Sequence, residues 1–316
     1  MRETPMTLFR NAPPQLEAGV FICHLGLVTD LIFNHGVDLP GFAAFPLLDS
    51  EEGRVHLRRS CADLVDIARK AGVGAILQSA TWMANRDRAA AVGYGPETME
   101  RVNRAAIELM TEFRGATGAP PVVLSGNLGP RGDAYAPGEQ MSAPEAEKYH
   151  REQIGIFADT EADIVSGHTL TYVEEAIGMA EAARKLGMPI AVSFTVETNG
   201  HLPTGDAVND AIVRVDDATG GHPAYYMINC AHPDHFTSVL EAEPPSARLK
   251  GLVVNASRCS HEELDAAEEL DDGDPEELGA QVAGLRTKFP QITVVGGCCG
   301  TDARHIAEMA ARVNVA

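Results

Sequence analysis

The chain has 316 residues, 45% hydrophobic, 22% charged and 5% aromatic; that length holds one large domain or two ordinary ones, and the composition excludes a disordered, collagenous or coiled-coil chain. Lys and Arg number 25 against 45 Asp and Glu, a formal net charge of −20 with His neutral, and with no basic stripe to neutralise phosphates, neither nucleic acid nor an anionic membrane is an expected partner. Residues 1–17 carry three prolines and no apolar signal core, and nowhere do about 18 apolar residues run together, so a cytoplasmic protein is expected.

In chain order, short apolar and β-branched runs predict strands over 20–24, 74–79, 121–127, 162–168, 189–195, 224–230, 250–257 and 292–298. They lack strict polar alternation, as strands do when helices cover both faces of a parallel sheet. The amphipathic stretches between them predict helices over 59–71, 97–114, 143–159, 172–186, 206–217, 234–241, 275–289 and 302–313. Ser142-Ala-Pro-Glu145 has the form of a capping box with proline in the first turn, and Gly187-Met-Pro189 reads as a helix stop feeding the next strand. Eight β-then-α units in this length predict a (β/α)8 TIM barrel, a single domain over 1–316. The alternative, a doubly wound open sheet, lacks the G-x-G-x-x-G turn after the first strand. Residues 35–58, with Pro40, Pro46 and an apolar stretch over 42–48, are expected as an insertion able to fold over the barrel mouth. The acidic stretch over 262–277 reads as a solvated face leading into a helix.

In such a barrel the chemistry sits at the C-terminal ends of the strands. Those ends hold His24, Ser79 to Trp82, Asn127, His168, Thr195 to Glu197, Cys230, Asn255, and Cys298 with Cys299. Cys230 lies in Asn229-Cys-Ala-His-Pro233 and the adjacent pair in Gly296-Gly-Cys-Cys-Gly-Thr301. Three thiolates with one exchangeable fourth ligand suit a tetrahedral catalytic Zn²⁺, and the flanking glycines let the backbone pack close to an ion. The competing reading is that they are small buried residues, as free cysteines often are. Cys23, Cys61 and Cys259 read as thiols without a metal role, since a chain of this size without a signal peptide needs no disulfide staples.

Those two motifs, with the 16–30 region and Ser125-Gly-Asn-Leu-Gly-Pro-Arg-Gly132, make the sequence resemble the homocysteine S-methyltransferase family over nearly its whole length. The resemblance implies a zinc barrel in which Cys230, Cys298 and Cys299 hold the metal. A thiol substrate takes the fourth position and, as thiolate, attacks a methyl group on a sulfonium or ammonium donor. Family members usually carry an Asp near strand one and a Glu at the end of strand four that hold the homocysteine amino group. The matching positions here are His24 and His168. Two imidazoles are therefore expected in the acceptor pocket as catalytic residues: receiving an anionic or uncharged thiol, working as acid and base, or adding metal ligands. Trp82 is expected to box the methylated cation, with Phe45, Tyr135 and Tyr172 behind it, and Asn127, Glu197 and Asn255 complete the substrate-binding set.

The expected function is zinc-dependent methyl transfer from a small onium donor to a thiol, homocysteine by default. With no additional folate or cobalamin domain visible, an S-methylmethionine-like donor is favoured over methylfolate. Other readings stay open beside it. One is a divergent zinc barrel acting on another thiol, or a zinc lyase or hydrolase using His24 or His168 as general base on water; another is a non-catalytic binding barrel. Partners are expected to be small molecules, with homo-oligomerisation open.

Overall fold

Eight parallel strands close into a barrel in sequence order: β1 (Phe21–His24), β2 (Gly74–Gln78), β3 (Val122–Leu128), β4 (Ile164–Leu170), β5 (Ile190–Phe194), β6 (Tyr225–Asn229), β7 (Leu249–Val254) and β8 (Val294–Gly297), with β1 pairing with β2 on one side and β8 on the other. This computed structural model describes residues 7–17, 19–115, 120–136 and 138–313. Eight helices cover the strands: α1 (Glu51–Ala71), α2 (Pro96–Thr111), α3 (Ala143–Ala158), α4 (Val173–Lys185), α5 (Val208–Thr219), α6 (Pro233–Ala242), α7 (Pro275–Lys288) and α8 (Ala303–Val313). The predicted strands and helices are all present, and the single closed barrel is the expected architecture. No described helix is long and apolar enough to cross a membrane.

Two layers of apolar side chains follow from the strand alternation. Ile22, Leu77, Leu124, Val165 and Val192 pack outward against the helices in the main core. Phe21, Cys23, Ile76, Val123, Ile164, Ala191, Tyr225 and Val253 fill the barrel interior together with Cys230 and Cys298. Both faces of each strand are thus buried, the reason the sequence shows continuous apolar runs rather than alternation.

The expected insertion behaves differently. α1 starts at Glu51, not 59, because Ser50 caps it by accepting the Gly53 N–H and acidic residues fill its first turn. What precedes it folds into two 3₁₀ turns, Pro40–Phe42 and Phe45–Asp49. Their apolar side chains do not close the mouth: Phe45 and Leu48 are buried against Leu57, Met99, Val102 and Ala106, on the flank between α1 and α2. Short helices at Arg86–Ala91 and His261–Asp265 in the loops after β2 and β7 were not predicted.

The N-terminal end of the barrel is held by one carboxylate. Asp163, fully buried just before β4, accepts the backbone N–H groups of Leu8 (3.2 Å), Phe9 (2.9 Å) and Leu124 (2.9 Å) and pairs with the Arg114 guanidinium. Arg10 then donates to the carbonyls of Ala158, Thr160 and Ala162 and fixes residues 7–17 across this end. Removing one partner of such a buried pair typically costs about 3–5 kcal/mol. Asp163→Ala should lower unfolding free energy in urea by about that amount, while the folded fraction binds ligand at the opposite end as before.

Candidate metal centre and active site

At the C-terminal end the chain makes two unusual reversals. Cys230, directly after β6, has φ 58°, and Thr169, within β4, has φ 62°; left-handed backbone is costly for residues other than glycine and is tolerated where surroundings enforce it. One side chain, from the residue before Cys230, holds the Thr169 bend. The buried Asn229 amide accepts from the Thr169 N–H (2.9 Å) and the Ser193 hydroxyl (2.6 Å) through Oδ1 and donates to Thr169 Oγ1 (2.9 Å) through Nδ2. The register of β4 against β5 shifts between Gly167 and Leu170, a bulge next to the site.

A further reversal follows β8. Gly300 has φ 78°, and a Cβ on Gly296 or Gly297 would collide with Cys23 or Thr301, so the turn carrying the cysteines needs its glycines. Thr301 Oγ1 donates to the Cys298 carbonyl (2.6 Å), the Cys298 N–H to Val254 (2.7 Å), the Gly300 N–H to Thr29 Oγ1 (3.2 Å) and the Ala256 N–H to the Cys299 carbonyl (3.1 Å).

The result is a cluster in which the Sγ atoms of Cys230, Cys298 and Cys299 all lie within 4.8 Å of one another, Cys230 and Cys299 at 3.5 Å. Among the described residues it is the one group of three His, Cys, Asp or Glu ligand atoms so close. With metal–sulfur bonds of about 2.3 Å, tetrahedral thiolates lie about 3.8 Å apart, so the cluster fits a soft divalent ion with little movement. The thiols interact strongly: hydrogen bonds from Cys230 and Cys298 hold the Cys299 thiol well below its ordinary pKa, and sharing with Cys230 and Cys299 plus burial pushes Cys298 well above it. Tyr135, in the loop between β3 and α3, places its hydroxyl 3.0 Å from Cys230 Sγ and 4.0 Å from Cys299 Sγ. Its ring stacks on His261 (centroids 4.3 Å apart, 28° between planes), whose Nε2 lies 3.3 Å from both Thr195 Oγ1 and the Val196 carbonyl oxygen.

The other expected residues divide. His168 is buried with Nδ1 2.9 Å from Asn127 Oδ1, while its Nε2 has no partner. Burial pushes the imidazole down to about 3, so it is neutral, Nδ1–H donating to Asn127 and Nε2 left as a lone pair. Asn255 is likewise buried with an unpartnered Oδ1. The Trp82 indole N–H donates to the His168 carbonyl (3.3 Å), and the Arg88 guanidinium sits 5.4 Å from its ring centroid, so one π face already carries a cation of the protein itself. Burial lowers the His261 pKa, and the carboxylate of Glu197, half-buried in the turn after β5, works against that lowering by favouring the imidazolium.

His24 is not brought to the thiols. β1 directs Phe21 and Cys23 into the interior, so the alternate residue His24 faces the other way, and its Nε2 lies 3.1 Å from the Thr301 carbonyl oxygen, bracing the cysteine turn. Cys23, and not His24, is the residue of this pair that points into the interior. Sequence reasoning missed His261 altogether; the only signal was the capping box Ser260–Glu263 that starts its helix just beyond β7.

A family model described as Homocysteine S-methyltransferase matches residues 69–313. The homocysteine S-methyltransferase of Escherichia coli is 26% identical over 211 residues, 61% of this chain and 64% of that protein, and YbgG of Bacillus subtilis, of the same description, is 24% identical over 201 residues, 61% and 62%. The selenocysteine Se-methyltransferase of Brassica oleracea is 25% identical over 313 residues, 90% of this chain and 86% of that protein. The match to Mycobacterium leprae methionine synthase, 30% over 145 residues, covers 43% of this chain and 11% of that protein, so the chain spans under two thirds of several of the relatives it matches. The metallated form of the homocysteine methyltransferase MmuM from E. coli shares the fold, with a TM-score of 0.71 at 20% identity, covering 94% of this chain and 97% of that one.

Two outcomes follow from the geometry. Full-length protein equilibrated with Zn²⁺ and desalted should retain about one equivalent by elemental analysis, and Cys298→Ser should lose most of it. For His168, the unfolded value of 6.5 lies above the folded value of about 3, so the unfolded state binds the extra proton between them. The stability this neutral His contributes is full above about pH 6.5 and is lost as pH falls toward 3, at up to about 1.4 kcal/mol per pH unit. Denaturant midpoints for His168→Gln should therefore fall less steeply over that window than those of wild type.

Proposed function

Because the chain belongs to the homocysteine S-methyltransferase family, we propose that it is a zinc-dependent methyltransferase that moves a methyl group from a small sulfonium or ammonium donor to a thiol. The observation that carries the reading is the convergence of Cys230, Cys298 and Cys299 at the functional end of the barrel, with no fourth metal-ligating residue beside them among the described residues. Bound there, Zn²⁺ would lower the pKa of an incoming thiol from its free value of about 8.5, so that a thiolate exists at neutral pH.

The chain's own residues account for the rest. The acceptor thiolate attacks the methyl carbon as the bond from that carbon to the onium sulfur or nitrogen breaks; the electron pair stays on the leaving thioether or amine, and no proton moves in that step. A cationic donor needs π faces and negative charge rather than ion-pairing arginines. The stacked Tyr135 and His261 rings beside the thiols, with Glu197 near His261, supply both. Trp82 is placed behind them, since Arg88 covers one of its faces.

His168, Asn127 and Asn255 are assigned to the acceptor. His168 Nε2 and Asn255 Oδ1 offer lone pairs and no counter-charge. A group held neutral down to about pH 3 is a poor base for activating water at neutrality, which weighs against the lyase or hydrolase reading. Homocysteine remains the acceptor by family. A neutral hydrogen bond to its ammonium, about 0.5–1.5 kcal/mol, replaces a charge-assisted one of about 1.5–3 kcal/mol, so thiols lacking the amino group should compete well.

The test is a matrix of methyl donors and thiol acceptors with zinc-loaded protein, read by mass spectrometry. Methylated thiol should form with an onium donor, depend on all three cysteines, and form from 3-mercaptopropionate at a rate comparable to homocysteine. His168→Glu should raise the preference for homocysteine by roughly tenfold. No methylated thiol from any pair, or donor turnover without a thiol, removes the proposal.

A further inference from the structure

Tyr135 stands against the thiols from the loop between β3 and α3, and the structure shows what holds it there. Arg131, four residues before it, gives its backbone N–H to Glu175 Oε1 (2.8 Å). Asp133 Oδ1 then accepts the N–H groups of Tyr135 and Ala136, both at 2.8 Å, a side-chain turn that aims the tyrosine. At the far end of the loop the Met141 N–H donates to Tyr172 Oη (3.1 Å). Both anchors, Tyr172 and Glu175, belong to the start of α4 and are buried.

Glu175 is an expensive way to hold a loop. It is fully buried, its Oε1 also lies 2.8 Å from Nε2 of the buried His150 on α3, and both Glu175 Oε2 and His150 Nδ1 lack partners. A core that needed only packing between α3 and α4 would be served as well by two apolar residues. The pair lies on the functional end of the barrel and binds the loop backbone directly.

We propose that Glu175 is a positioning residue: by fixing Arg131 it sets the loop that holds Tyr135 over Cys230, and so controls access to the thiol cluster. His150 orients the carboxylate through Nε2–H. This rests on the thiol cluster being the reacting centre of the proposed methyl transfer, but its action through the loop is a property of the chain alone.

The test reads that access without methyl transfer. In the full-length, chelator-treated protein, the alkylation rate of Cys230 by iodoacetamide is followed by peptide mass spectrometry, with Cys61, a residue of α1 packed against the main core, as internal control for global loosening. Glu175→Ala should speed Cys230 alkylation by about tenfold, as expected for loss of one hydrogen-bonded anchor, and leave Cys61 unchanged. Tyr135→Ala should do the same, and the double variant should react no faster than Tyr135→Ala alone. Glu175→Gln, which keeps an acceptor for the Arg131 N–H, should stay near wild type. Should Glu175→Ala fail to fold, Glu175→Leu/His150→Leu removes both polar groups together and carries the same expectation with its melting temperature retained.

The assignment is overturned if Cys230 reacts at the wild-type rate in the folded Glu175 variants, if Cys61 accelerates in step with it, or if the Glu175 and Tyr135 effects multiply. A correct alkylation pattern with no methyl transfer from any donor would remove the proposed function and leave the positioning role. Methyl transfer with a failed pattern would do the reverse.

Discussion

Three sulfur atoms on two different strand ends can approach within metal-closing distance only if the backbone bends where side chains resist bending. The Asn229 amide makes one of those bends possible. Its three hydrogen bonds, to Thr169 N–H, Thr169 Oγ1 and Ser193 Oγ, hold a β-branched residue in left-handed backbone, and its own backbone leads straight into Cys230, left-handed as well. Strain of this kind persists only when the surroundings over-determine it. Because Thr169 follows His168, the same amide that borders the Cys230 turn also braces the strand end carrying the imidazole that faces Asn127, so cysteine and histidine placement are coupled through one side chain.

The two ends of the barrel divide the labour. At the N-terminal end Asp163 and Arg114 form a buried ion pair that closes the fold. At the C-terminal end several buried polar atoms are left without partners, among them His168 Nε2, Asn255 Oδ1 and Glu175 Oε2. Unpaired buried polar groups lower stability, and a fold tolerates them where a ligand or a moving element will use them. Unpartnered buried atoms occur at the other end too, on Gln15, Tyr225 and Arg114, so it is the place of His168 and Asn255 at the C-terminal strand ends, where a TIM barrel carries its chemistry, that singles them out.

The fold was legible because barrel strands buried on both faces leave dense β-branched runs, and because Ser142 and Glu145 spell a helix start. The start of α1 was legible too, in Ser50-Glu-Glu-Gly53, but the charged turns that follow lack the apolar stripe by which a helix is usually read. The thiol cluster was readable since strand ends converge on one mouth. His24 was misplaced by a single step of strand parity, which reverses every side chain. Tyr135 stood only behind Trp82 among the aromatic candidates and His261 was not among the candidates, because their stacking joins the loops after β3 and β7, contacts made by the closed barrel and not by local sequence.

A neutral His168 fits methyl transfer better than it fits most barrel chemistry. Hydrolysis and elimination need a group that takes and returns a proton near neutral pH, and a buried imidazole without a counter-charge cannot serve. Thiolate alkylation by an onium ion needs no such group once the thiol has lost its proton, since the leaving group departs neutral. The groups around the reacting atoms are then free to be chosen for shape and hydrogen bonding alone, and a lone pair such as His168 Nε2 costs the reaction nothing. A carboxylate there would add affinity for an amino-bearing acceptor, yet it would also attract the cationic donor into the acceptor's place. With Glu197 beside His261 as the nearby charge, the proposed reaction would have its two substrates separated by electrostatics: cation toward the stacked rings, thiol toward the neutral histidine.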